Sequence, residues 1–329
     1  MAKNFINKLN PKEKQLTLDR IEVLIDLLDP WVKEYPTIRP ARIPTAALMT
    51  AITLPKMSVI NALPMAKIIL WVFSIDDLAD ERIISLEEFN DSIESWYQIA
   101  CGNLLQEANC NNCELSLMLL EIRQELSQLP LFEIWCDDWA SALRCNMEGM
   151  AQEYQHALWY DTKQSYTLPT LDNYLAFSKY SIFVVAWVET LFITLNDVSI
   201  SKQVTLIRMA IDQASRAIRL YNDIRSYEKE IEENNINSVL IMYKQLCTQY
   251  PNKAQDKMLA EAKRHVFQLA KKHKESAEYW VNQIQTDTGQ IEDAFFNFLS
   301  FHSYFYGDDQ TDTDYHTTNL DDINQWLID

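Results

Sequence analysis

Glycine is scarce in this chain of 329 residues: only Gly102, Gly149, Gly289 and Gly307 occur, where average usage is about 7%. Tight β-turns and phosphate-cradling loops both need residues without a Cβ, and neither GxGxxG nor GxxxxGK is present. The shortage excludes a sheet-rich fold and a glycine-loop phosphate site. Positive charge is short as well. The 29 Lys and Arg against 47 Asp and Glu leave a net charge of −18, so the basic surface that nucleic acid requires is missing. There is no run of 18 apolar residues, and MAKNFINKLNPKEK has no apolar h-region; neither a membrane span nor a leader is expected, and a cytoplasmic location is. Cys110 and Cys113 form a CxxC with no second pair and no His nearby, which argues against zinc. The five His (156, 265, 273, 302 and 316) make no Cys–His or Ser–His pattern for nucleophilic catalysis.

What is present is apolar and helical in period. Hydrophobic residues make up 48% of the chain, ample for a deep core. Long stretches of 3.6-residue periodicity lie between prolines at 30, 36, 40, 44, 55, 64, 130, 169 and 251, which read as punctuation between helices. No internal repeat and no Gly/Ser-rich linker divides the chain. One all-α domain over 1–306 is expected, followed by an acidic tail over 307–329 holding seven Asp and no Lys or Arg.

Within that pattern one segment is anomalous. In WVFSIDDLADERII, residues 71–84, four acids interrupt side chains suited to a core, and burying unpaired carboxylates is costly. On a helix, Asp76 and Asp80 share a face one turn apart, and Asp77 and Glu81 form a second i,i+4 pair. Acids at a helix C-terminus also oppose the macrodipole. No Lys or Arg lies between Ile68 and Ile75, and Arg82 follows. A second stripe occurs in RLYNDIRSYEKEIEE, where Asn222, Ser226 and Glu230 recur at i, i+4 and i+8, drifting about 40° per step over roughly 12 Å of helix. An amide carbonyl, a hydroxyl and a carboxylate are hard oxygen donors of the kind Mg²⁺ takes, its octahedron completed by water and phosphate oxygens. Two such stripes, 146 positions apart (222 minus 76), suit a diphosphate clamped through metal between helix walls.

These two segments resemble a known pair of motifs. DDLAD looks like the aspartate-rich DDxxD of class I terpene synthases, and NDIRSYEKE fits their second motif, NDxxSxxxE, at each defined position. LPTLDNYLAF, at 168–177, is similar to the Pro-x-x-x-x-Tyr-Leu segment that opens a kinked helix in that family. A further DDxxD, Asp308, Asp309 and Asp312, sits in the polar tail without an apolar helix and reads as solvated. The resemblance covers roughly residues 20–306 and implies a single-domain helical bundle around a central active-site cavity. It implies three Mg²⁺ ions held by Asp76, Asp77, Asp80, Asn222, Ser226 and Glu230, with Asp76, Asp80, Asn222, Ser226 and Glu230 essential to catalysis.

Two departures weaken the basic side of the site. Many bacterial members carry an arginine four residues after the Tyr and a glycine at the helix break; here Ser178 and Lys179 stand there, with no glycine. The C-terminal Arg-Tyr pair is replaced by FFNFLSFHSYFYG. Lys179, Arg219, Arg225 and Lys229 are therefore the expected diphosphate contacts, with Asp77, Asp223 and Arg225 open to a structural reading instead. Phe73, Phe177, Trp187, Phe298 and Phe301 are candidate cavity walls, aromatic faces stabilising a cation by about 0.5–2 kcal/mol each; plain core packing is the alternative for each. The activity implied is metal-assisted ionisation of a prenyl diphosphate and cyclisation of the carbocation. A geranylgeranyl or bicyclic C20 diphosphate is preferred over farnesyl diphosphate, and a homodimer is compatible with the sequence. The rival readings are a chain-elongating prenyltransferase, disfavoured because its second motif is aspartate-rich, and a non-catalytic protein that binds prenyl diphosphate or a partner.

Overall fold

In the computed structural model the described residues are 10–103, 113–161, 167–233 and 235–307. They form helices α1 (Pro11–Glu34), α2 (Arg42–Thr53), α3 (Val59–Asp80), α4 (Leu86–Ala100), α5 (Cys113–Ser127), α6 (Phe132–Asp161), α7 (Leu171–Ser181), α8 (Val184–Thr194), α9 (Ile200–Glu232), α10 (Ser238–Gln249), α11 (Gln255–Val281) and α12 (Gln290–Gly307). Among the described residues there is no strand. Cys110 and the tail copy of DDxxD lie outside the described residues.

Local signals set many of the boundaries. Asn10 with Glu13 and Ser85 with Glu88 form capping boxes at α1 and α4, and Ser58 and Thr170 cap α3 and α7 by accepting from Asn61 and Asn173 amides. The prolines punctuate less than expected. Pro30 lies inside α1 and Pro64 inside α3, while Pro44 falls in the first turn of α2, where its missing N–H is not needed.

The core runs the length of the bundle, with Trp71, Trp96, Trp139 and Trp187 each at most 1% exposed. α3 packs on α1, α2 and α5, α6 packs on α4, α7 and α8, and α9 packs along α11. Two stretches, Val59–Asp80 and Leu171–Thr194, are long and apolar enough to cross a bilayer by composition; 67% and 61% of their most apolar windows are buried in the bundle, the burial pattern of a core helix.

α7 and α8 are one helix interrupted. Phe183, at the start of α8, has φ +66 in the left-handed region, a conformation uncommon for a bulky residue. The kink expected before the second motif is present without the glycine that eases it.

Candidate active site

The C-terminal ends of α3 and α9 come together. Beyond α3, Arg82 Nη2 donates to the Glu233 carbonyl at the end of α9 (3.4 Å). Asp80 lies in the field of Glu153, Glu230 and Lys229, and Asp76 in that of Arg219 and Lys229.

The four acids then divide into two pairs of opposite fate. Asp77 Oδ1 accepts from Arg42 Nη2 at 2.5 Å and its Oδ2 pairs with Arg39 Nε at 3.2 Å. Arg39 also binds Glu81 and draws that carboxyl below its usual range. Both oxygens of Asp77 are thereby engaged by arginine, which favours the structural reading of this acid over the metal-ligand one. Asp76 and Asp80 share in none of these pairs. Burial raises the Asp76 pKa, opposed by Arg42 and reinforced by Asp77. Asp80 is raised further, by desolvation first and then by repulsion from Asp76, Glu153 and Glu230. Asp80 also presents surface to solvent. Two carboxylates crowded by like charge, with no ion pair to a basic side chain among the described residues, fit a cation supplied from outside.

On α9, Asn222 is buried and Ser226 Oγ donates to its carbonyl (2.8 Å), leaving the hydroxyl lone pairs to accept. Glu230 Oε2 accepts from Asn237 Nδ2 (2.6 Å), and its carboxyl is pushed up to about 7 by burial, against the pull of Arg219. Arg219 is the buried basic centre. It pairs with Asp223 (2.8 Å), Glu153 (3.0 Å) and Glu230 (4.0 Å) and donates to Tyr174 Oη (2.8 Å). Desolvation is outweighed by these neighbours, which hold it firmly protonated. Asp223 also takes hydrogen bonds from the Ser238 amide (3.0 Å) and Tyr174 Oη (3.1 Å), which fixes it as a structural acid.

The donor set fits hard divalent cations: carboxylates from Asp76, Asp80 and Glu230, an amide from Asn222 and a hydroxyl from Ser226. Among the described residues no three His, Cys, Asp or Glu converge to cage an ion by themselves, which leaves room for the amide, the hydroxyl and phosphate oxygens to complete the coordination.

The family model for terpene synthase family 2, C-terminal metal binding, matches residues 67–270, a span that contains both stripes. The chain belongs to this family. It is a terpene synthase, with the all-α fold of the class I enzymes. No curated protein matches its sequence. Solved structures similar in fold include the linalool/nerolidol synthase of Streptomyces clavuligerus in complex with 2-fluorogeranyl diphosphate, at 12% identity and TM-score 0.65, covering 88% of this chain and 98% of that one. The germacradien-4-ol synthase of Streptomyces citricolor follows at 13% identity and 0.65, covering 89% and 93%. The 2-methylisoborneol synthase of Streptomyces coelicolor A3(2), in complex with Mg²⁺ and geranyl-S-thiolodiphosphate, is 12% identical with TM-score 0.66, covering 88% and 94%.

Not every residue expected at the synthase's site is brought to it. Lys179 pairs with Asp212 (2.6 Å) and lies over the Tyr180 ring (4.8 Å). Asp212 is ten residues before Asn222 on α9, about 15 Å along the helix. Lys179 is thus engaged by Asp212, on a part of α9 set back from the Asn222 stripe. Lys229 pairs with Glu233 (3.6 Å) and its charge reaches Asp76 and Asp80; Arg225 is half-buried on the adjoining face. Phe73 is half-buried beneath Arg42 (5.0 Å), and Phe177 stacks on His156 (5.2 Å). Trp187 and Phe298 stack on each other at 4.2 Å and, with Phe301, are at most 3% exposed; these three are packed as core. Arg39, Arg42, Glu153 and Asn237 had escaped the sequence reading. Only Asn237 carried a local signal, as the cap of α10 before an apolar run.

Proposed function

We propose that this synthase is a Mg²⁺-dependent class I cyclase that ionises a C20 allylic prenyl diphosphate and cyclises the resulting cation to a hydrocarbon or alcohol, releasing diphosphate. The observation that carries the reading is that Asp76 and Asp80, at the end of α3, stand outside the ion pairs that engage Asp77 and Glu81, with Glu230 of α9 close enough to repel Asp80. When bound, the metal would supply Lewis-acid stabilisation of the leaving diphosphate. Asp76 and Asp80 would hold it from one wall, and Asn222, Ser226 and Glu230 from the other. Three ions are the number the family resemblance implies. Arg219 and Lys229 place positive charge beside these groups, the task the missing arginines leave open. Phe73, one turn before Asp76, would offer an aromatic face beside the acids, and Phe177 a further one on α7, to keep water from the cation and stabilise it.

The preference for C20 rests on the sequence. The missing arginine and the run RLYNDIRSYEKE resemble bacterial diterpene cyclases that act on a preformed bicyclic diphosphate. Farnesyl diphosphate is the alternative; two related structures carry geranyl-based analogues. Incubation with Mg²⁺ and, separately, C10, C15, C20 and bicyclic C20 diphosphates, followed by gas chromatography–mass spectrometry, decides. A cyclic product from a C20 substrate, abolished by EDTA, is expected. Products from C15 alone would move the substrate class. Mg²⁺-dependent diphosphate binding without any product would favour the non-catalytic reading, which the absent arginines motivate.

A further inference from the structure

The α7–α8 break has no glycine of its own, yet Phe183 holds a left-handed φ of +66 there. Such a conformation persists only where surrounding structure imposes it. The surroundings are one face of α6. Asn146, Gly149 and Glu153 are spaced three and four apart, so they point the same way. Asn146, 1% exposed, donates through Nδ2 to the carbonyls of Tyr180 (2.9 Å) and Ser181 (3.0 Å), the last carbonyls of α7. At Gly149 a Cβ would sit 2.8 Å from the Ser181 amide nitrogen and 3.3 Å from the Phe177 carbonyl oxygen, so glycine is what admits the close approach. Glu153 Oε1 accepts from Ser181 Oγ (2.9 Å) and pairs with Arg219 Nη1 (3.0 Å). One carboxylate oxygen therefore joins the break to the guanidinium that adjoins Glu230.

We propose that the Asn146, Gly149 and Glu153 face of α6 is a mould that fixes the α7–α8 break, and that Glu153 is a positioning residue setting the break's register against the Asn222, Ser226 and Glu230 stripe. The position of the break is imposed from the neighbouring helix instead of being encoded in its own sequence. Glu153 touches neither substrate nor metal in this role, which rests on the cyclase reading above.

The test uses the full chain with Glu153→Gln and, as the milder variant, Ser181→Ala. Hydrogen exchange is followed in the peptide spanning 180–187, binding of Mg²⁺ with inorganic pyrophosphate by calorimetry, and turnover by kcat and KM. Expected are exchange in 180–187 at least tenfold faster, kcat at least tenfold lower, and KM and pyrophosphate affinity within about threefold of wild type. Unchanged exchange in 180–187 in both variants overturns the mould, whether or not the wild type turns over. Exchange raised equally throughout the chain, or a rise in KM that matches the fall in kcat, also overturns it, since either marks general loosening. A wild type that neither binds pyrophosphate with Mg²⁺ nor turns over defeats the cyclase reading instead, while the exchange result still decides the mould.

Discussion

Asp76 and Asp80, and Asp77 and Glu81, are two i,i+4 pairs offset by one residue on the same helix end, and their surroundings separate them. The second pair is met by Arg39 and Arg42 from the chain before and at the start of α2. The first has mixed surroundings: Glu153 and Glu230 from α6 and α9 repel Asp80, while Asp76 lies in the field of Arg42, Arg219 and Lys229. A one-residue step turns a side chain by about 100°, enough to move it from a basic wall to a mixed one. The lesson is that a carboxylate's role is set less by its motif than by what the neighbouring helices place against it. A neutralised acid holds the fold, and an unneutralised one waits for a cation.

Substitution should separate the pairs in opposite currencies. Asp77→Asn removes the charge held against the Arg42 guanidinium, 4% exposed, and is expected to cost about 3–5 kcal/mol of stability, read by urea unfolding. Asp80→Asn is expected to leave the unfolding midpoint unchanged or raised, since it removes repulsion, while cutting turnover by about a hundredfold or more. If Asp77→Asn kept its stability and Asp80→Asn its activity, the division would be wrong. Combining Asp77→Asn with Arg42→Met sharpens the point, because removing both charges should return most of the lost stability; a double variant as unstable as the sum of the singles would show that the pair was not the issue.

A third buried acid, remote from the motifs, supplies a control in pH. Glu189 is 3% exposed on α8, with Arg208 at 3.4 Å as its partner and Asp138 sharing that arginine. Burial raises its carboxyl from 4.5 to about 7. The folded state therefore favours the protonated form: the stability it contributes is present below pH 4.5 and is lost as pH rises through about 7. Glu189→Gln should equal wild type near pH 4 and exceed it by about 1–3 kcal/mol at pH 8. A difference independent of pH between the two would contradict the buried-acid account. The smallest effect is expected at Lys179→Ala, which breaks a partly exposed pair with Asp212 and should cost at most about 1 kcal/mol without moving KM; a several-fold rise in KM would restore Lys179 to the site.

The helical class, the main helices and both oxygen stripes were legible because each is written in local period: DDLAD and NDIRSYEKE carry their spacing in nine residues or fewer. What escaped is non-local. Arg39 and Arg42 lie more than 30 residues before the acid they neutralise, and Glu153 sits in an unremarkable polar stretch of α6 whose meaning comes from Ser181 and Arg219. Lys179 was chosen for its adjacency to the expected arginine position, whereas the turn of the helix points it at Asp212. Prolines 30 and 64 misled as stops because tertiary packing outweighs a lost backbone bond.

The most direct test of the central claim is diphosphate release from geranylgeranyl diphosphate by the wild type and by Asp76→Asn and Asp80→Asn, each with Mg²⁺ and with EDTA. Release by the wild type that needs Mg²⁺ and falls by about a hundredfold or more in both variants is the predicted result. Release at the wild-type rate in either variant, or undiminished in EDTA, would contradict a metal site built on these two acids.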